Sequence, residues 1–167
     1  MAESITPTSV GLRYGLFYGL VSIILTTLTF VIESLSDSFI STVLSFGIWI
    51  TFLVLAAKFF KDQSSGYMSF GQGFQIGLLV SVISSVLSGL YYILYLRVLS
   101  PETWNKIMDK VHSQWEKQGL DEKSIEMAEK FTSPEISFLG IVIGGLVMGA
   151  ILSLVVAAIM QKKKPEF

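Results

Sequence analysis

Cysteine is absent from the 167-residue sequence, and histidine occurs once, as His112. Without thiols the chain has no disulfide, no thiolate nucleophile and no sulfur ligand for a metal. His112 stands three and four residues from Asp109 and Glu116, a spacing that is common on solvated helix faces. Phosphate-binding glycine loops and dinucleotide fingerprints are also missing. We therefore expect no metal site, no cofactor and no enzyme activity.

Charge is scarce as well. Aspartate, glutamate, lysine and arginine make up 15% of the residues, and the formal net charge is −1. Nucleic-acid binding depends on concentrated positive charge, often interleaved with aromatic residues, and the sequence contains no such patch. We therefore expect no nucleic-acid partner.

Apolar residues are abundant and occur in four long blocks, at about 12–33, 38–60, 70–97 and 135–160. A bilayer core about 30 Å thick requires roughly 20 helical residues. The blocks lack the alternation of a membrane β-barrel, and none contains proline. The sequence thus predicts an all-α integral membrane protein in which residues 1–167 form one membrane domain with four transmembrane helices.

The lysines and arginines of the short connections predict the orientation, because cytoplasmic loops retain positive charge. Arg13 precedes the uncharged run of the first block, which begins at about Tyr14. Lys58 and Lys61 lie beside the loop between the second and third blocks, and three lysines follow the fourth at 162–164. Both termini are predicted to be cytoplasmic, and the acidic segment 100–133 to be extracytoplasmic.

Segment 100–133 has the pattern of an amphipathic helical hairpin. Ser100 and Pro101 are typical of a helix start, Gly119 of a helix end, and Asp121 of a second start. One face of the first helix is predicted to be apolar and contains Trp104, Ile107, Met108, Val111 and Trp115. On the second helix we expect Phe131 to face inward. The hairpin could cover the bundle, lie on lipid or bind a partner, and the sequence leaves these three alternatives open.

Small residues recur at every fourth position in three of the blocks. Residues four apart share a helix face, and small residues let two helix backbones approach closely in lipid. The predicted helix-packing positions are Gly15, Gly19, Gly73, Gly77, Ser81, Ser85, Gly89, Gly145, Gly149 and Ser153. We expect these faces to hold the bundle together, with one face available to a second copy or to another membrane protein.

Polar residues at the ends of the blocks have predicted structural roles. Glu33 and Arg97 lie on the same side of the membrane and are a candidate structural ion pair. Ser69 is a candidate cap for the third helix, and Gln72 and Gln75 follow it within about one turn. We expect both glutamines to fix the position of that helix.

The stretch "GYMSFGQGFQIG" is followed by a serine-rich third block, a charged segment and a fourth block that leads into "KKKPEF". In these features the chain resembles the bacterial family known as domain of unknown function 4199, from about residue 11 to the end. The resemblance implies a small four-span protein of the bacterial inner membrane. It implies no activity.

Two functional classes follow from these observations. The first is a non-enzymatic scaffold or accessory subunit that acts through helix contacts and the exported segment. The second is a small oligomeric transporter or channel. Transporters usually place charged groups and broken helices near the bilayer midplane, whereas this sequence offers hydroxyls there. The accessory class is therefore favoured.

Overall fold

The computed structural model describes residues 5–32 and 38–163, and within these ranges the chain is helical apart from short connections. The four long helices are α1 (Pro7–Val31), α2 (Phe39–Gln63), α3 (Phe70–Leu94) and α6 (Pro134–Met160). A π-helical turn, Tyr95–Leu99, extends α3 and leads into two shorter helices, α4 (Pro101–Lys117) and α5 (Glu122–Lys130). The four long helices are long and apolar enough to cross a membrane.

Helix α1 begins at Pro7, about five residues before the predicted start. Thr6 caps it: the Thr6 side chain accepts a hydrogen bond from the Ser9 backbone, and the Ser9 side chain accepts one from the Thr6 backbone. This reciprocal arrangement satisfies two otherwise unpaired backbone N–H groups. Arg13 therefore lies in the second turn of the helix rather than at its start, with its guanidinium carbon 5.6 Å from the centroid of the Phe59 ring.

The start of α3 is fixed by a second capping box. The Ser69 side chain accepts from the Gln72 backbone N–H at 3.3 Å, and Gln72 Oε1 accepts from the Ser69 N–H at 2.8 Å. Gln75 Nε2 donates to the hydroxyl of Thr8 on α1 at 3.1 Å. Gln72 thus caps the start of α3, and Gln75 joins α3 to α1.

Helix α3 is the central helix, and its most extensive contacts are with α6 and α1. On the α1 side, Leu79, Ile83 and Leu87 lie in turn over three glycines spaced four residues apart, Gly11, Gly15 and Gly19. Position increases along both helices together, so α1 and α3 run parallel. Three large side chains of α3 therefore fill the flat glycine face of α1.

On the α6 side the order is reversed, so that α3 and α6 run antiparallel. The successive contacts pair Gly73 with Ala157, Gly77 with Ser153, Ser81 with Gly149, and Ser85 with Gly145. Gly89 continues the α3 face and lies against Phe138. A Cβ atom added at Gly77 would overlap the Ser153 side chain. The two backbones therefore approach as closely as small residues permit.

Helix α2 has fully buried side chains only in its second half, at Leu53, Ala56, Ala57 and Phe60. Its first residues project from the bundle, with Phe39 81% and Ile40 76% exposed. The bundle is consequently tight at the end where α1 begins and α6 finishes, here called the closed end. It is splayed at the end that leads to α4, here called the hairpin end.

Three contacts secure the closed end. Lys61 Nζ donates to the Met160 carbonyl at 3.2 Å, which places a positive charge on an unpaired carbonyl at the α6 C-terminus. Met68 and Lys162 exchange two backbone hydrogen bonds of 3.0 and 2.8 Å. Met68 itself is fully buried. The loop before α3 is therefore joined directly to the segment that follows α6.

Helices α4 and α5 form a hairpin whose turn has a Schellman motif: Gly119 has φ of 77°, and the Leu120 N–H donates to the Trp115 carbonyl. His112 Nε2 lies 2.6 Å from Glu129 Oε1 and links the two helices. No residue of either helix is buried. Phe131 is 70% exposed, so the prediction that it faces inward is wrong; it follows the last turn of α5, where no other helix covers it.

We expect Gly77→Ala to destabilise the bundle by about 1–3 kcal/mol, because the added methyl group must displace Ser153. Gly71→Ala is the matched control on the same helix, since nothing lies within 4 Å of a Cβ at that site. Thermal unfolding in detergent, followed by circular dichroism, measures the difference. Equal stability of the two variants would show that the α3–α6 contact is looser than described.

The second expectation concerns acid pH. Hydrogen bonds from the Ser124 side chain and backbone lower the pKa of Asp121 below its ordinary value of 3.8. A carboxylate with a lowered pKa stabilises the folded state above that ordinary value, and the contribution is lost as the pH falls through the folded-state pKa. Helix α5 should therefore fray at acid pH, as measured by carbon chemical shifts in micelles. Asp121→Asn retains a neutral cap and should abolish this pH dependence; an unchanged acid transition would assign the fraying to other groups.

Candidate functional site: a groove at the hairpin end

A groove of about 300 Å³ lies between α1, α2, α3 and α6, extending from the middle of the bundle toward the hairpin end. Its walls combine hydroxyl-bearing, aromatic and glycine positions. They are formed by Tyr18, Ser22, Trp49, Ser81, Ser84, Ser85, Ser88, Gly140, Ile141, Gly144, Gly145 and Met148. It is the candidate functional site.

The groove exists because α2 diverges from α6 and because one face of α6 lacks side chains. Gly140 and Gly144 lie four residues apart, and nothing lies within 4 Å of a Cβ atom built at either position. Gly145, next in the chain, is different, because a Cβ there would overlap Ser85. Neighbouring glycines of α6 thus have different roles: one packs against α3 and the others line open space.

The serine hydroxyls of α3 are bound to their own helix. Ser81, Ser84, Ser85 and Ser88 donate to backbone carbonyls three or four residues earlier, at distances between 2.7 and 3.0 Å. Such local bonds satisfy a hydroxyl that has no water nearby. The serines therefore leave no unused donor pointing into the groove.

Two further hydrogen bonds join the walls. Trp49 Nε1 donates to Ser81 Oγ at 3.2 Å, which connects α2 to α3. The hydroxyls of Ser22 and Ser88 lie 2.5 Å apart and share a hydrogen bond between α1 and α3. The Trp49 ring also stacks on Tyr18, with centroids 6.3 Å apart and planes at 14°. After these pairings, the surface that faces the groove is largely carbon.

The structure places the predicted helix-packing residues at two interfaces. Gly15 and Gly19 lie at the α1–α3 interface. The others lie along α3 and α6, where Ser81 and Ser85 additionally border the groove. The packing faces and the groove are therefore adjacent surfaces of the same central helix.

Two further predictions concern the Glu33–Arg97 ion pair and the apolar face of the first hairpin helix. Glu33 lies outside the described residues, so the Glu33–Arg97 pair stays a prediction. Arg97 donates through Nε and Nη2 to Glu135 Oε1, at 3.0 and 2.7 Å, and joins the end of α3 to the start of α6. The predicted apolar face of α4 is half-buried along its length, at Trp104, Ile107, Met108, Val111 and Trp115.

Sequence reasoning missed Trp49, Tyr18 and the pair Gly140 and Gly144 as parts of a site. The glycine pair carried a readable signal, because two glycines four apart in an apolar helix mark a face for close approach. The sequence prediction assigned the packing face of α6 to Gly145, the residue next to Gly144, and therefore overlooked the face that carries Gly140 and Gly144. Trp49 and Tyr18 carried no such signal, since an aromatic residue within an apolar block is unremarkable.

Metal binding finds no support in the part of the chain that the structure describes. Within residues 5–32 and 38–163, no group of three or more histidine, aspartate or glutamate side chains could hold an ion. The groove itself is lined by no charged residue. Its chemistry is that of an apolar binding surface.

Comparison with known proteins identifies the family. The family described as "Protein of unknown function (DUF4199)" matches residues 13–162. No match was found among curated proteins or among solved structures. The family match covers most of the sequence and confirms the resemblance noted in the quoted stretch and the third block. The chain belongs to the DUF4199 family of proteins of unknown function.

Proposed function

We propose that the protein is a non-enzymatic scaffold or accessory subunit of the bacterial inner membrane, which binds a partner protein through the α4–α5 hairpin. The observation that carries this proposal is the exposure of an ordered hairpin. Met127 and Phe131 are 56% and 70% exposed, and no residue of α4 or α5 is buried. Exposed apolar groups on an ordered surface are typical of interaction sites.

The hairpin is ordered by local contacts. The Schellman turn at Gly119, the Asp121 cap and the contact between His112 and Glu129 fix its two helices. Its most extensive contact with the preceding helices is the one between α4 and the turn Tyr95–Leu99. A hairpin held in this way can present its apolar groups to a partner at little cost in ordering entropy.

The orientation follows from charge. Arg13, Lys58, Lys61, Lys162 and Lys163 belong to the closed end, and the positive-inside rule places that end in the cytoplasm. The hairpin, in which acidic residues outnumber lysines, is then extracytoplasmic. Its partner would be a periplasmic protein or the exported part of another membrane protein, including a second copy.

The transporter alternative has weaker support. Ion or solute pathways need polar groups that can exchange water for protein ligands. The hydroxyls near the middle of α3 already donate to their own backbone carbonyls. The charged side chains Lys58 and Arg97 belong to helix ends. These features favour binding over permeation.

Single cysteines at Gln63, Gln118 and Gln161 test the orientation, since all three sites are exposed and the natural chain has no cysteine. In cells with a permeable outer membrane, only Gln118→Cys should react with an impermeant thiol reagent. After cell lysis all three should react. Labelling of Gln63→Cys in intact cells, with Gln118→Cys protected, would invert the topology and move the hairpin to the cytoplasm.

A photo-crosslinking phenylalanine analogue tests partner binding. Placed at Phe131, it should yield a discrete protein adduct in intact cells, and Met127→Ser should weaken that adduct because it removes part of the same surface. Phe39 is the matched control, since it is an exposed phenylalanine on α2 at the same end of the bundle. Absence of a protein adduct from Phe131, or the same adduct from Phe39, would contradict the proposal. Solute flux through vesicles containing the purified protein alone would support the transporter instead.

A further inference from the structure

The dimensions of the groove limit what can occupy it. Along α6 the groove extends from Gly140 to Met148, a distance of about 12 Å at 1.5 Å per residue. A helix with its side chains is about 10–12 Å wide, so the same length of helix would occupy roughly 900–1,400 Å³, several times the volume of about 300 Å³ that the groove offers. The groove therefore cannot enclose a helix, whereas a single extended carbon chain is slender enough to lie in it.

The walls of the groove favour an apolar occupant over a polar one. The serine hydroxyls of α3 and the indole N–H of Trp49 are already hydrogen-bonded within the bundle. None of the lining residues is charged. A polar molecule that entered would lose its hydration and gain few hydrogen bonds in return, which costs several kcal/mol. A hydrocarbon occupant has no hydrogen bonds to water and therefore does not incur this cost.

We propose that the groove binds one acyl chain of a membrane phospholipid. The groove is lined by residues of all four long helices, which are apolar enough to cross a membrane, and at that level phospholipid chains are the surrounding solvent. Gly140, Gly144 and Trp49 are among its lining residues. An empty groove would forfeit dispersion contacts along its walls, and a chain lying in it restores these contacts. This inference is independent of the hairpin and of the proposed partner.

Trp49 provides a direct probe. The chain has three tryptophans, and Trp104→Phe with Trp115→Phe leaves Trp49 alone while keeping aromatic rings on α4. The protein with both replacements is delipidated in detergent, and a phosphatidylcholine with bromine atoms midway along its acyl chains is added back. Bromine quenches tryptophan at contact distance. We expect saturable quenching of Trp49 that reaches its limit at one lipid per protein.

Two leucine substitutions separate groove binding from general contact with lipid. Gly144→Leu fills the groove, and the saturable quenching should be lost. Gly47→Leu is the matched control, because Gly47 lies on α2 two residues from Trp49, has open space around it and does not line the groove. It should retain the quenching. Circular dichroism and gel filtration confirm folding, and if Gly144→Leu misfolds, Gly144→Ala should weaken binding with a smaller change.

Three results would overturn the proposal. Quenching of the parent protein that grows linearly with added lipid and never saturates would mean that no chain is bound. Equal saturable quenching in the Gly144→Leu and Gly47→Leu proteins would place the lipid outside the groove. A protein that elutes as a dimer, and that Gly144→Leu alone converts to a monomer, would show that a second copy covers this face.

Discussion

The close approach of α3 to its two neighbours is the constraint on which the rest of the structure depends. Between helices in lipid there is no hydrophobic drive, so association must come from van der Waals contact and a few hydrogen bonds. Small residues at intervals of four let the backbones approach. On one side the glycine face of α1 receives large α3 side chains such as Ile83, and on the other Gly77 and Gly149 of α3 and α6 meet serines. Small residues thus allow close packing of α3 against both the parallel helix α1 and the antiparallel helix α6.

This arrangement decides the position of the remaining parts. Because α1 and α6 occupy two faces of α3, α2 buries side chains only in the half that carries Leu53 and Phe60. Its other half diverges and opens the groove beside Trp49. The indole N–H of Trp49 and the hydroxyl of Ser81, beside the groove, are then hydrogen-bonded inside the bundle rather than to a ligand. The packing of α1 and α6 on α3 therefore accounts both for the close contacts at the centre of the bundle and for the open groove beside α2.

The ends of the bundle are fixed by different forces. At the closed end, Lys61 neutralises the C-terminus of α6, and the bridge between Met68 and Lys162 joins two loops. At the hairpin end, Arg97 and Glu135 connect α3 to α6 with exposed side chains, an interaction of modest strength in water. The hairpin beyond it relies on its own caps. Burial therefore decreases from the packed spans to the hairpin, whose two helices have no buried residue and where the proposed partner contact lies.

The sequence by itself determined the four spans, the small-residue faces and most helix starts, because these depend on hydrophobic length, a period of four and local capping. The start at Thr6 and Pro7 was readable by the same rule but was missed. Only the tertiary structure decided that Gly145 packs while Gly144 stays open, that Arg97 meets Glu135, and that α2 diverges. These choices depend on which faces meet across distant parts of the chain, and helical periodicity is the same whether a face contacts protein, lipid or empty space.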